Sequence, residues 1–187
     1  MSMERFAWVP IAAGLAGLPA VLPRAGLAHG EGIRLVASGD WVATEQADSS
    51  TGPPDICSAF TTAVGPGNAG QTFGLQANII DTEVRFSDVH WSLPVNVSGT
   101  LELAVGDDRA TLKIGDNTND MVIAAIAADP LRAMIGAMEK ANAMTVTIGA
   151  DAPLTVSLRG SNRATDAFRA CAGRIGGAGH PPQEGPG

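Results

Sequence analysis

Short runs of alternating apolar and polar residues fill the chain from residue 33 to about 125, the two-residue period of strands that bury one face. Thr82-Glu83-Val84-Arg85-Phe86 and Gly99-Thr100-Leu101-Glu102-Leu103-Ala104-Val105 show it most clearly. Runs at 33–37, 40–44, 56–62, 71–80, 110–114 and 121–125 predict further strands, with Trp41 as a large core residue. Turn-forming residues separate them: Ser-Ser-Thr-Gly-Pro-Pro at 49–54, Gly65-Pro66-Gly67, and Gly106-Asp107-Asp108, which predicts a tight hairpin.

The period then lengthens. Asp129 reads as an N-cap with Pro130 at the first helical position. Leu131, Met134, Ile135, Met138 and Ala141 fall on one face of the helix that follows. A strand pair is predicted at 144–148 and 154–158, then a second helix capped by Ser161 or Asn162, with Ala164, Phe168 and Cys171 on its inner face. Many strands, a helix, a hairpin and a helix, without βαβ alternation, predict an α+β fold. It is mainly antiparallel β and sandwich-like, with two helices near the C-terminus. One β-rich domain is expected over 29–175, followed by a disordered Gly/Pro tail at 176–187.

The start of the chain changes the compartment. Residues 6–23 are uncharged and apolar, Arg5 precedes them, and Gly26 and Ala28 supply the small residues a signal peptidase requires. Residues 1–28 are therefore read as a signal peptide, and the mature chain is expected to be periplasmic or secreted. The alternative is a retained N-terminal anchor, against which Pro10, Pro19 and Pro23 break the helix a bilayer span needs. In an oxidising compartment the two cysteines, Cys57 and Cys171, are expected to form a structural disulfide. Closing so long a loop constrains the unfolded chain by about 4–5 kcal/mol in the entropic account. No CxxC is present, so thiol–disulfide exchange chemistry has no support.

Charge and composition narrow the partners. The formal net charge is −7, which disfavours a nucleic-acid backbone and an anionic membrane surface. Aromatic residues make up 4% and Tyr is absent, which argues against a ring-rich stacking platform for bases or glycans. Membrane contact is expected only if residues 6–23 are retained. No GxSxG, HExxH or phosphate-cradling glycine loop occurs, and Asp107-Asp108 lacks an apolar pocket that would raise a carboxyl pKa. A non-enzymatic role is the expectation.

One metal set stands out. Cleavage after Ala28 would free the amine of His29, and an amino-terminal His with a second His makes a copper site. Asp88-Val89-His90 supplies an Asp-x-His pair, placed on a strand with both side chains on one side. His29, Asp88 and His90 are thus the candidate copper ligands; no other cofactor is implied. Asp116-Asn117-Thr118-Asn119-Asp120 gathers oxygen atoms that calcium would accept, but lacks the EF-hand spacing, and a polar hairpin loop explains it more simply.

Asp40-Trp41, a Cys on the next strand, Trp91-Ser92-Leu93-Pro94, the Leu131–Ala141 helix, the Met144–Ile148 strand and the closing Leu158-Arg159-Gly160-Ser161 into Ala164 and Cys171 come in a familiar order. Over about residues 36–174 the chain resembles the invasion-associated locus B family of small periplasmic proteins of alphaproteobacteria. The resemblance implies an exported interaction protein whose partner is a protein of the envelope or of a host. It implies no catalytic residue. Two other readings stay open: a periplasmic copper carrier using His29 and His90, and an accessory subunit of an envelope complex tethered by residues 6–23.

Overall fold

A computed structural model describes residues 32–47, 52–66 and 70–175. The segment 6–23, the cleavage site, His29 and the tail at 176–187 lie outside the described residues. The elements run β1 (Ile33–Ser38), β2 (Trp41–Gln46), β3 (Ile56–Thr61), β4 (Gln71–Ala77), β5 (Thr82–Asp88), β6 (Thr100–Val105), β7 (Asp108–Lys113), β8 (Asp116–Asn117), β9 (Met121–Ala125), α1 (Ala128–Met138), β10 (Ala143–Ile148), β11 (Leu154–Ser157) and α2 (Ser161–Ala172). Seven strands form one sheet in the order β1-β2-β3-β4-β5-β9-β8, and four form a second in the order β11-β10-β6-β7. The paired strands are all antiparallel. The fold is α+β and sandwich-like, mainly antiparallel β with two helices, as the alternation predicts.

The period-two pattern decides which residues meet. Cross-strand register aligns Ala43, Ala59, Leu75, Val84 and Ala124, and beside them Trp41, Thr61, Phe73, Phe86 and Val122, on one face of the large sheet. These residues are buried and join Leu101, Leu103, Val105, Val146 and Val156 of the small sheet in one core. Helix α2 lies across β1, β2 and β3, and α1 packs against β6, β7 and α2. Trp41 and Phe73 meet edge to face at 6.1 Å.

The β1–β2 turn is clamped onto the connection between β11 and α2. Asp40 N–H donates to Arg159 O at 2.8 Å, Trp41 Nε1 donates to Ser157 O at 2.7 Å, and Thr61 Oγ1 donates to Asp40 O at 2.8 Å. The Asp40 carboxylate accepts from Ser157 Oγ at 2.7 Å and from the Arg159 guanidinium. Backbone approaches backbone so closely here that a Cβ on Gly39 would lie 2.3 Å from Arg159 O, and one on Gly160 would lie 1.9 Å from Ser38 O.

Several sequence-based expectations are corrected. Helix α1 starts earlier than Asp129: its N-cap is Ala127, without a side-chain cap, and Asp129 sits in the first turn bonded to Arg132. Met134, Ile135 and Met138 are buried as predicted, whereas Leu131 and Ala141 are only half-buried. Gly160 rather than Ser161 or Asn162 holds the N-cap of α2, and the Ser161 side chain is buried inside the first turn. Residues 78–80 form a turn instead of extending β4: Asn78 Oδ1 accepts from Ile80 N at 2.7 Å and from Asp81 N at 3.0 Å. Asp116–Asp120 is a short hairpin whose first two residues are β8. Among the described residues no helix is long and apolar enough to cross a membrane.

Candidate functional site

The outward face of the large sheet is not a simple solvated surface. Its central row is Val42, Phe60, Gly74, Arg85 and Ile123 in cross-strand register, and Ser58 and Gln76 pair in the adjacent row. A groove of about 400 Å³ lies over β3, β4 and β5, floored by Ser58, Phe60, Thr72, Gly74, Gln76 and Ser87. Arg85 and Val89 edge it, and Met121 with the β8–β9 turn forms one wall.

Glycine makes the floor. A Cβ at position 74 would come within 2.9 Å of Phe60 Cβ and 3.1 Å of Ala59 O. Phe60 Cβ and the β3 backbone therefore leave no room for a side chain at this position, and Gly74 itself lines the groove. The wall is equally fixed. Thr118 Oγ1 donates to Asp120 Oδ1 at 2.7 Å, and Thr118 N–H donates to Met121 O at 2.9 Å. Asn117 Oδ1 accepts from Val97 N at 2.9 Å, and Asp116 Oδ1 from Asn117 N at 2.8 Å. The oxygens weighed as calcium ligands thus fold the loop on itself.

The polar groups of the floor are unusual. Gln76 is 6% exposed and Ser58 7% exposed. Neither side chain makes a hydrogen bond to another described residue. Among the described residues no side-chain polar atom fully removed from solvent lacks a partner, so both groups reach the groove. Arg85 contrasts with them: its Nη2 and Nε lie 2.6 and 2.8 Å from Glu83 Oε2, so its charge is balanced inside the sheet.

Of the residues singled out from sequence, Asp88 and His90 do meet. Asp88 ends β5 while His90 lies in the following turn, so the pairing is not the strand-face geometry expected. Asp88 Oδ1 accepts His90 N–H at 2.9 Å and lies 2.9 Å from His90 Nδ1, while Oδ2 accepts from Gln71 Nε2 at 2.9 Å. Partial burial pushes the Asp88 carboxyl up, but the bonds from His90 and Gln71 outweigh it and hold it below the usual carboxylate range. An ionised carboxylate only accepts, so Nδ1 carries a proton and Nε2 points free on a side chain that is 73% exposed. The imidazole is thereby held in one orientation with Nε2 exposed; His29, its expected companion, lies outside the described residues. Among those residues no group of three metal-ligating side chains forms.

Cys57 on β3 and Cys171 on α2 face each other with Cα atoms 5.9 Å apart, the geometry of a disulfide, and both are fully buried. A second apolar surface lies at the other end of the sheet, where Ile79 (74% exposed) and Ile80 (86% exposed) stand beside the half-buried Leu131 and Ile175.

Sequence reasoning missed Ser58, Gly74, Gln76 and Arg85. The available clue was residue type: the outward positions of β3 and β4 are Ile, Ser, Phe, Thr, Gly and Gln, with none of the Lys and Glu that cover an ordinary solvated sheet.

No family model matches the chain. No curated protein matches it. The fold is similar to the crystal structure of invasion associated protein B from Bartonella henselae, with 14% sequence identity and a TM-score of 0.47, over 72% of this chain and 95% of that one.

Proposed function

We propose that the chain is a non-enzymatic interaction protein exported to the periplasm or secreted, and that it binds its partner through the groove over β3, β4 and β5. The observation that carries this reading is the pair of buried, unpartnered polar side chains, Gln76 and Ser58, on the groove floor. Their polar atoms make no hydrogen bond within the protein and open onto the groove, so folding draws no bond from them. Polar groups that the fold leaves unbonded and that open onto a concave surface mark a binding site. The test is Gln76→Leu in a denaturant melt. The expected result is a stability equal to wild type or raised by up to about 1 kcal/mol. A loss larger than that would assign the amide to the fold and remove the reading.

Export is tested separately by the intact mass of protein recovered from the native cell. Loss of residues 1–28 supports a free periplasmic or secreted protein; retention supports the membrane-tethered accessory subunit. A second reading, the copper carrier, draws support from the way Asp88 presents His90 Nε2. Protein beginning at His29 should bind Cu(II) more tightly than the same protein with one extra N-terminal Gly, and equal affinities would reject the site.

A further inference from the structure

We infer that the ligand of this groove is a short neutral saccharide of one or two pyranose rings, seated over Gly74 with its hydroxyl groups meeting Gln76 and Ser58 on one side and Thr72 and Ser87 on the other. The inference rests on the groove being the binding site. Its first support is the chemistry of the floor. Phe60, Val89 and Met121 give the groove a mainly apolar lining, into which Ser58, Gln76, Thr72 and Ser87 set hydroxyl and amide groups. Hydroxyls and amides both donate and accept, and the matching ligand group is one that does both, a hydroxyl. Two of these groups, those of Gln76 and Ser58, belong to residues more than nine-tenths buried, yet their polar atoms make no hydrogen bond in the protein and open onto the groove.

Charge supplies the second support. An anionic ligand needs an unspent cation, and Arg85 is balanced by Glu83 at 2.6 Å. The carboxylate of Asp120, whose Oδ1 accepts from Thr118 Oγ1, lies on the rim and opposes an anion further. A neutral ligand leaves both arrangements undisturbed.

Shape is the third. The two polar rows flank an apolar strip, Phe60 and Gly74, as the hydroxyl rim of a pyranose flanks its C–H face. From Thr72 to Gln76 the floor runs about 13 Å along the strand, and from β3 to β5 about 10 Å across. The groove volume of about 400 Å³ is at the small end for ligand sites, which limits the occupant to one or two rings. An extended peptide is disfavoured by position: peptides add to sheet edges through backbone hydrogen bonds, and β3, β4 and β5 are all interior strands. With a single ring on the floor the complex should be weak, with Kd on the order of 0.1–1 mM.

The test is an NMR titration of the folded, disulfide-bonded protein with maltose, cellobiose and N,N′-diacetylchitobiose, beside a capped neutral tripeptide. At least one sugar should saturate, moving the Gln76 side-chain amide signals, with an affinity unchanged by added salt. Gln76→Leu and Ser58→Ala should each weaken it about tenfold at an unchanged melting temperature. Saturation by the tripeptide and by none of the sugars would overturn the saccharide and leave the groove as the binding site. Saturation by nothing at tens of millimolar would overturn the saccharide too, and a destabilised Gln76→Leu would overturn the groove with it.

Discussion

The two faces of the large sheet are made of neighbouring residues on the same strands, yet they answer to different demands. On the inner face Trp41, Phe73, Val84 and Phe86 are chosen for volume, because they fill one close-packed space. On the outer face Phe60, Gly74, Gln76 and Arg85 occupy the intervening positions and fill nothing completely. A change of one methylene should matter on the first face, and a change of hydrogen-bonding type on the second. The same backbone thus separates a part that holds the molecule together from a part that is free to recognise something.

The contrast is sharpest at Phe86 and Arg85. Phe86→Ala should lower unfolding free energy by about 3–5 kcal/mol through lost burial and a residual cavity. Arg85→Ala should cost clearly less, about 1 kcal/mol, since the ion pair keeps contact with solvent and no cavity opens in the core. Urea melts of the two variants decide, and similar losses would break the division between faces. Next in size is the link from the inner face to α2: Cys57→Ser should cost about 2–5 kcal/mol. Peptide mapping without reductant should recover a Cys57–Cys171 cross-link from exported protein, and free thiols there would contradict it.

Helix α1 extends the comparison beyond the sheet. Met134→Ala, at a buried position, should cost about 2–5 kcal/mol. Leu131→Ala should cost clearly less in the same melt, because Leu131 is only half-buried beside Ile79, Ile80 and Ile175. Equal costs would mean that something covers that surface in solution.

Acid supplies a smaller effect that belongs to neither face. Asp40 is held below the usual carboxylate range by its hydrogen bond from Arg159 first and that from Ser157 second, against an upward push from burial. A depressed native pKa stabilises the fold at every pH above the unfolded value of about 3.9 and ceases to do so as pH falls through the native value. Stability should therefore be flat from about pH 5 upward where Asp40 and Asp88 are concerned, and decline below about pH 4. Asp40→Asn should make that acid limb shallower in pH-dependent melts. The smallest change in magnitude, though not in meaning, is the near-neutral Gln76→Leu described above.

Much of the fold was legible because burial imposes a period. Thr82–Phe86 and Leu101–Val105 alternate cleanly, since one side of each strand faces the core, and Phe168 and Cys171 fall three apart on a helix that crosses β3. What was not legible depends on partners distant in sequence. Asp129 has the residue type of a cap, but the chain is already helical at Ala128 because Leu131 N–H reaches Ala127 O. β8 is two residues long and exists only by pairing with β9, so it carries no period of its own. The groove escaped for a related reason: Ser58 and Gln76 look like ordinary outward polar residues until β3 and β4 bring them side by side and their burial is known.

The clamp between the β1–β2 turn and the β11–α2 connection has a consequence for how the chain reaches this state. The hydrogen bonds that fix Asp40 and Trp41 come from a residue 117 and 116 positions further on. Gly39 and Gly160 leave no room for the two segments to meet at any other depth. The β1–β2 hairpin therefore cannot be locked until β11 has arrived, and contacts of such sequence separation are the slow ones. The molecule closes like a ring whose two ends meet last, and until they meet, the indole of Trp41 has no carbonyl to bond and the strands it anchors remain open to other partners.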